Sequence, residues 1–162
     1  NHRRHFMLVE LKVNGEKRSA DVPPETTLLK FLRENLDLTG AKLGCDVGDC
    51  GTCTVIVNGK SVNSCLMLAV KANGSVVETI EGLANSSELH PLQKTFEELG
   101  ALQCGFCGTG MLMSAKHLLD INPDPTDFEI RDALTGNLCR CTGYTKIIAA
   151  IKDAAKTLRT SA

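Results

Sequence analysis

The sequence predicts an α+β chain, with a strand-rich half followed by a helical half. Three observations carry this. Up to about residue 80, short apolar-polar alternations stand between Asn-Gly pairs, the period-two signature of half-buried strands. Beyond about residue 88, apolar residues recur every three or four positions, the helical period. The eight cysteines split at the same place, four to each half.

Leu8 to Val13 alternates, Asn14-Gly15 is a hairpin turn signal, and Lys17 to Val22 returns. Pro23-Pro24 then breaks the chain. Thr26 or Thr27 can cap a short helix carrying Leu28, Leu29, Phe31 and Leu32. A glycine-rich loop runs from Gly40 to Gly51, Thr54 to Val57 reads as a strand before an Asn58-Gly59 turn, and Val76 to Ile80 as a last strand. In the second half, Pro91 to Leu99 makes one helix, with Pro91 suited to its first turn. Met111 to Leu119 makes another, stopped before Asn122-Pro123. Thr126 and Glu129 form a capping-box pattern opening a third, with Gly136 as its expected stop. A fourth runs from about Tyr144 to Leu158 on an apolar face of Ile147, Ile148, Ile151, Ala154, Ala155 and Leu158. The period changes near Gly82 to Glu88, which sets domains at 7–82 and 83–162. The opening NHRRHF, upstream of Met7, is set aside from fold reasoning.

A chain of 162 residues buries roughly 70% of its unfolded surface, enough for one core or two small ones. With 18 basic and 19 acidic residues and no basic stripe, it lacks the electrostatic footprint of a nucleic-acid binder. It has no apolar run long enough for a membrane span and no apolar signal-peptide core near its start, so a cytoplasmic chain is expected. Eight cysteines in that setting point to metal or redox chemistry rather than a disulfide framework.

Cys45, Cys50, Cys53 and Cys65 follow the plant-type [2Fe–2S] ferredoxin spacing, C-x4-C-x2-C with a fourth cysteine further on. Two bridged irons need four thiolates around a flat rhomb, so the backbone must curl. Gly44, Gly48 and Gly51 permit that curl and let backbone N–H groups aim at the sulfurs. Zinc is the weaker reading, because this spacing with three glycines is not a usual zinc knuckle. A thioredoxin-like reading of either C-x2-C pair lacks the βαβ context it needs.

The second set is Cys104-x2-Cys107 with Cys139-x-Cys141. A disulfide between Cys139 and Cys141 would close a very tight ring, far from relaxed geometry. Cys104 and Cys107 fall at the entry to the second helix, Cys139 and Cys141 in the turn before the fourth. Helix N-termini favour thiolates, so two facing entrances would make a four-thiolate cage for a second cluster.

GCDVGDCGTCTV, QCGFC and NLCRCTGY together resemble the iron–sulfur subunit of the xanthine dehydrogenase, or molybdenum hydroxylase, family, over nearly the whole chain from Met7. The resemblance implies a β-grasp plant-type ferredoxin domain followed by a four-helix bundle domain, each with one [2Fe–2S] cluster. It implies Cys45, Cys50, Cys53 and Cys65 as ligands of an outer cluster, and Cys104, Cys107, Cys139 and Cys141 as ligands of an inner one. It also implies a large molybdopterin-binding partner beside the inner cluster, contacted by Gln103 and Cys141, and an FAD-binding medium partner beyond the outer one. The resemblance implies no substrate site on this chain. The expected role is electron relay in oxidation of an N-heterocycle, purine or aldehyde. A carbon monoxide dehydrogenase small subunit and a freely diffusing two-cluster ferredoxin are the alternatives.

One departure stands out. The family usually reads CGFCTPGM, where this sequence reads CGFCGTGM. Gly108-Thr109 removes a proline that pre-sets the helix entry, and Thr109 is expected to cap the helix instead. His90 and His117 read as ordinary helix or loop residues, Met111 and Met113 as packing. Asp46 and Asp49 are either solvated loop charge or a negative influence on the outer cluster. Lys146, Lys152 and Lys156 read as a solvent face.

Overall fold

The computed structural model describes residues 5–85 and 87–160. Most of the segment set aside before Met7, and the last two residues of the expected second domain, lie outside them. The expected α+β order is observed.

Strands β1 (Met7–Val13) and β2 (Glu16–Val22) pair antiparallel from Met7↔Val22 to Val13↔Glu16. Asn14 and Gly15 take φ of 50° and 87°, the two left-handed positions of a tight hairpin turn. The Asn14 side chain accepts from Thr79 N and donates to Thr79 Oγ1, both at 2.8 Å, which ties this turn to the end of the last strand. Strands β3 (Thr54–Val57) and β4 (Lys60–Asn63) make a second hairpin across Asn58 and Gly59. Strand β5 (Val76–Glu78) lies between the hairpins, parallel to β1 and antiparallel to β3, giving the order β2-β1-β5-β3-β4. It is shorter than expected, because the chain winds into a 3₁₀ turn at Ile80–Gly82.

Helix α1 (Leu28–Lys30) runs on into a π-helical turn over Phe31–Asn35. Its cap is Thr27, whose hydroxyl accepts from Lys30 N at 3.2 Å, while Thr26 is buried. Leu28, Leu29, Phe31 and Leu32 all turn inward onto Val9, Leu11, Val55 and Val77 of the sheet. Each such side chain contributes about 1.5–3 kcal/mol on burial.

The second half packs a separate aliphatic core from helices α2 (Pro91–Glu98), α3 (Gly108–Ile121), α4 (Asp127–Ala133) and α5 (Thr145–Thr160). His90 is more than an ordinary loop residue. Its Nδ1 accepts from Leu92 N at 3.2 Å, and Gln93 returns a bond to His90 N, closing a capping box on α2. Helix α3 exceeds the expected Met111-to-Leu119 span at both ends, since its apolar period begins only after its first turn. The Thr126–Glu129 box opens α4 as expected. However, α4 ends at Ala133 rather than Gly136. There Leu134 N turns to Ile130 O and Arg131 O, and Asn137 N to Leu134 O, so the chain tightens before the glycine is reached. Met111 and Met113 are buried packing. Lys152 is not simply solvated, because it pairs with Asp127 of α4. Among the described residues, no helix is long and apolar enough to cross a membrane.

Candidate metal centres

The loop from Gly40 to Cys53 wraps round the first set of cysteines. Cys45 Sγ receives three backbone N–H groups, from Val47 at 3.5 Å, Asp49 at 3.3 Å and Cys50 at 3.4 Å. Amides converging on one sulfur stabilise a thiolate. They hold the Cys45 thiol down at about 7, the amides of Val47 and Cys50 foremost. A side chain at Gly44 would stand 2.7 Å from Cys50 Sγ, so only glycine lets the backbone pass this close. Gly51, at φ +69°, faces Gly136 O, which its Cβ would meet at 2.2 Å. Cys65 enters after the β3–β4 hairpin and meets Cys53; both are buried. Burial, and then the neighbouring Cys53, pushes the Cys65 thiol up to about 12.

The second set lies between the entry of α3 and the turn before α5. Cys107 is the residue just ahead of α3, and Cys139 and Cys141 sit a few residues before Thr145. Cys104 and Cys141 stand with sulfurs 3.6 Å apart on the surface. Cys107 and Cys139 meet on the inner side, where burial followed by Cys139 pushes the Cys107 thiol up to about 12.

The eight thiols are thus gathered as four pairs: Cys45 with Cys50, Cys53 with Cys65, Cys104 with Cys141, and Cys107 with Cys139. Two thiolates on one tetrahedral metal with bonds of about 2.3 Å stand about 3.8 Å apart, close to the Cys104–Cys141 separation. A single ion would need a third and fourth donor around the same point. Among the described residues, no three His, Cys, Asp or Glu side chains close on one point in that way. Two pairs per half suit a two-metal rhomb, so the residues present fit a [2Fe–2S] cluster in each half.

The two loops are joined directly. Leu138 N donates to Cys50 O at 2.9 Å, so the residue before Cys139 is bonded to one of the first set. Asn137, 4% exposed, donates to Gly51 O at 3.0 Å and accepts from Ser114 Oγ at 2.6 Å. Tyr144 OH accepts from Cys139 N and donates to Asn137 O, pinning the turn. Neither Asn137 nor Leu138 belongs to the spacing pattern, and a buried bridging amide leaves no periodic trace. Thr109 does not cap α3. Its hydroxyl donates to Gly40 O at 2.8 Å and accepts from Lys42 Nζ at 3.2 Å, which fastens the helix entry to the first loop. Gln103 is exposed beside Cys104, and its Nε2 donates to Cys141 O at 3.2 Å.

Two family models match this chain. Residues 11–83 match the 2Fe-2S iron-sulfur cluster binding domain family, and residues 79–152 match the [2Fe-2S] binding domain family. The nicotinate dehydrogenase small FeS subunit of Eubacterium barkeri is 53% identical, over 90% of this chain and 93% of its own length. The chain belongs to the iron–sulfur subunits of the molybdenum hydroxylase family. The nicotine 6-hydroxylase small subunit of Paenarthrobacter nicotinovorans is 49% identical over 90% of this chain and 88% of its own. Among solved structures, quinoline 2-oxidoreductase from Pseudomonas putida 86 superposes with a TM-score of 0.92 at 46% identity, covering 96% of this chain and 97% of that one. The aldehyde oxidoreductase of Desulfovibrio gigas gives 0.91 at 42% identity; there the match covers 96% of this chain but 18% of that one. In this family the iron–sulfur unit therefore occurs both as a separate chain and as part of a longer one.

Proposed function

We propose that this chain is the electron-relay subunit of a molybdenum hydroxylase oxidising an N-heterocycle or an aldehyde. Cys104, Cys107, Cys139 and Cys141 hold the inner [2Fe–2S] cluster; Cys45, Cys50, Cys53 and Cys65 hold the outer one. A β-grasp ferredoxin domain over 7–82 carries the outer cluster and a four-helix bundle domain over 83–162 the inner, in keeping with two hydrophobic cores that share no buried residue. The cytoplasm is the compartment in which reduced, cluster-bearing cysteines are expected.

Each cluster accepts one electron at a time, and two in series can unload a two-electron oxidation. The chain's own residues provide the entry, the link and the exit. Cys104 and Cys141 form the exposed edge of the inner set, where a large molybdopterin-binding subunit would cover them. Gln103 stands at that edge; it positions the Cys141 carbonyl, and no donor among the described residues reaches its Oε1. The Leu138 N–Cys50 O bond carries the proposal, because it joins the inner turn to the outer loop by one short hydrogen-bonded bridge. The outer set would pass electrons to an FAD-binding medium subunit.

The test is Gln103→Ala in the purified complex. Both clusters should assemble with unchanged iron content, since Gln103 is not a ligand, while substrate-driven reduction of the inner cluster slows. One such hydrogen bond is worth about 0.5–1.5 kcal/mol, so a rate loss of about two- to tenfold is expected. Unchanged reduction kinetics would remove Gln103 from the electron entry.

A further inference from the structure

Two threonines stand beside cluster cysteines, and their hydrogen bonding differs. Thr52 Oγ1 lies 3.3 Å from Cys50 Sγ, but its hydroxyl proton is committed to Lys42 O at 2.9 Å. Thr142 Oγ1 lies 3.1 Å from Cys139 Sγ, and its oxygen already accepts from Tyr144 N at 3.2 Å. A hydroxyl has one proton to give. For Thr142, the acceptor in reach among the described residues is Cys139 Sγ. A metal-bound thiolate has no proton of its own, which fixes the direction: Thr142 O–H donates and the sulfur accepts.

The turn is built to hold that hydroxyl. Gly143 and Tyr144 take φ of 63° and 68°, two successive left-handed residues that bring Tyr144 N back onto the Thr142 oxygen. The Tyr144 phenol meanwhile holds Cys139 N at 2.9 Å. One residue thus anchors both the hydroxyl and the backbone of the cysteine it faces. The backbone N–H groups of Thr142 and Cys141 also bear on the Cys139 sulfur.

We infer that Thr142 is a potential-setting residue of the inner cluster, because its hydroxyl would donate to the Cys139 thiolate. This rests on the proposal that Cys139 is an inner-cluster ligand. Adding one electron makes the cluster one unit more negative, and no proton moves. A hydrogen bond into a thiolate strengthens as negative charge grows, so it stabilises the reduced state and raises the potential. Cys139 is also the ligand next to Leu138, whose N–H reaches the outer loop at Cys50.

The test is a mediated, dithionite-poised redox titration of the assembled complex, followed by the separate paramagnetic signals of the two clusters. Thr142→Val keeps the shape and removes the proton. At a fixed poise the inner cluster should be about tenfold less reduced, which is about 59 mV for a one-electron couple. The outer cluster, whose nearby hydroxyl is already committed, should not move. Thr142→Ser should restore the inner potential. If Thr142→Val loses the inner cluster, Thr142→Ala removes the same proton with less bulk and is titrated instead. An unmoved inner potential with both clusters present, or failure of Thr142→Ser to restore it, would overturn the inference. So would loss of the inner cluster in both the Val and Ala variants, because Thr142 would then serve assembly. Failure of the ligand assignment reads differently: Cys139→Ser would leave the inner signal unchanged.

Discussion

Gly110 sits in the first turn of α3, where the helix presses against the loop that bears Cys50 and Cys53. On helix propensity alone, Gly110→Ala should stabilise the chain by about 1 kcal/mol. The packing predicts the opposite sign. A Cβ there would lie 2.1 Å from Gly51 O and 3.0 Å from Gly51 C, so helix and loop must separate by at least about 1 Å to reach ordinary contact. Overpacking against backbone costs about 1–3 kcal/mol. The same displacement strains the 3.0 Å bond from Asn137 to Gly51 O, worth about 0.5–1.5 kcal/mol more. The net expectation is a loss of about 1–3 kcal/mol, or about 2–12 °C in the thermal midpoint of a chain this size. Loss of visible cluster absorption on heating measures it. The outer-cluster paramagnetic signal should shift as well, because the loop that moves is its cradle. If Gly110→Ala raises the midpoint and leaves that signal unchanged, the close approach of α3 to the Cys50 loop is refuted.

His90 caps α2 through a neutral Nδ1, and its folded pKa is lowered by burial first and then by the charge of Lys116, partly offset by Asp120. A histidine whose folded pKa is depressed contributes stability that is complete above its unfolded value of about 6.5 and lost as pH falls through the folded value. As pH drops below about 6.5, stability should therefore fall more steeply in the parent chain than in His90→Asn, which caps without titrating. Equal slopes would exclude His90 as the cap. In the iron-free chain at about pH 7, a thiol-alkylating reagent should label Cys45, held at about 7, well ahead of Cys65 and Cys107, both pushed up to about 12. Peptide mass mapping against time reads the order, and early labelling of Cys65 or Cys107 would contradict the amide-lined cradle at Cys45.

What the sequence discloses is whatever repeats with a period or a spacing. The Asn14-Gly15 and Asn58-Gly59 turns and the Thr126–Glu129 box are local patterns with local causes, and each is found where expected. Element ends are less legible. Gly136 looks like a helix stop, but the chain tightens after Ala133 because Leu134 N finds carbonyls three and four residues back. His90 gives no local sign of its capping role, because imidazole is not among the usual cap residues. Thr109 looks along the chain like a cap for α3, yet the residue that satisfies its hydroxyl is Gly40, 69 positions away. Asn137 and Leu138 make the link between the halves through bonds to Gly51 and Cys50 that no window along the chain contains. Long-range polar pairings of this kind follow from the fold rather than from composition.

On the proposed assignment, four thiol pairs hold two binuclear iron clusters wired in series. It is tested most directly by metal and sulfide analysis of the purified chain together with a reductive titration followed by paramagnetic resonance. About four irons and four acid-labile sulfides per chain are expected, with two distinct signals appearing as about two electrons are taken up. Zinc in place of iron without labile sulfide, or a single signal that saturates at one electron, would contradict it.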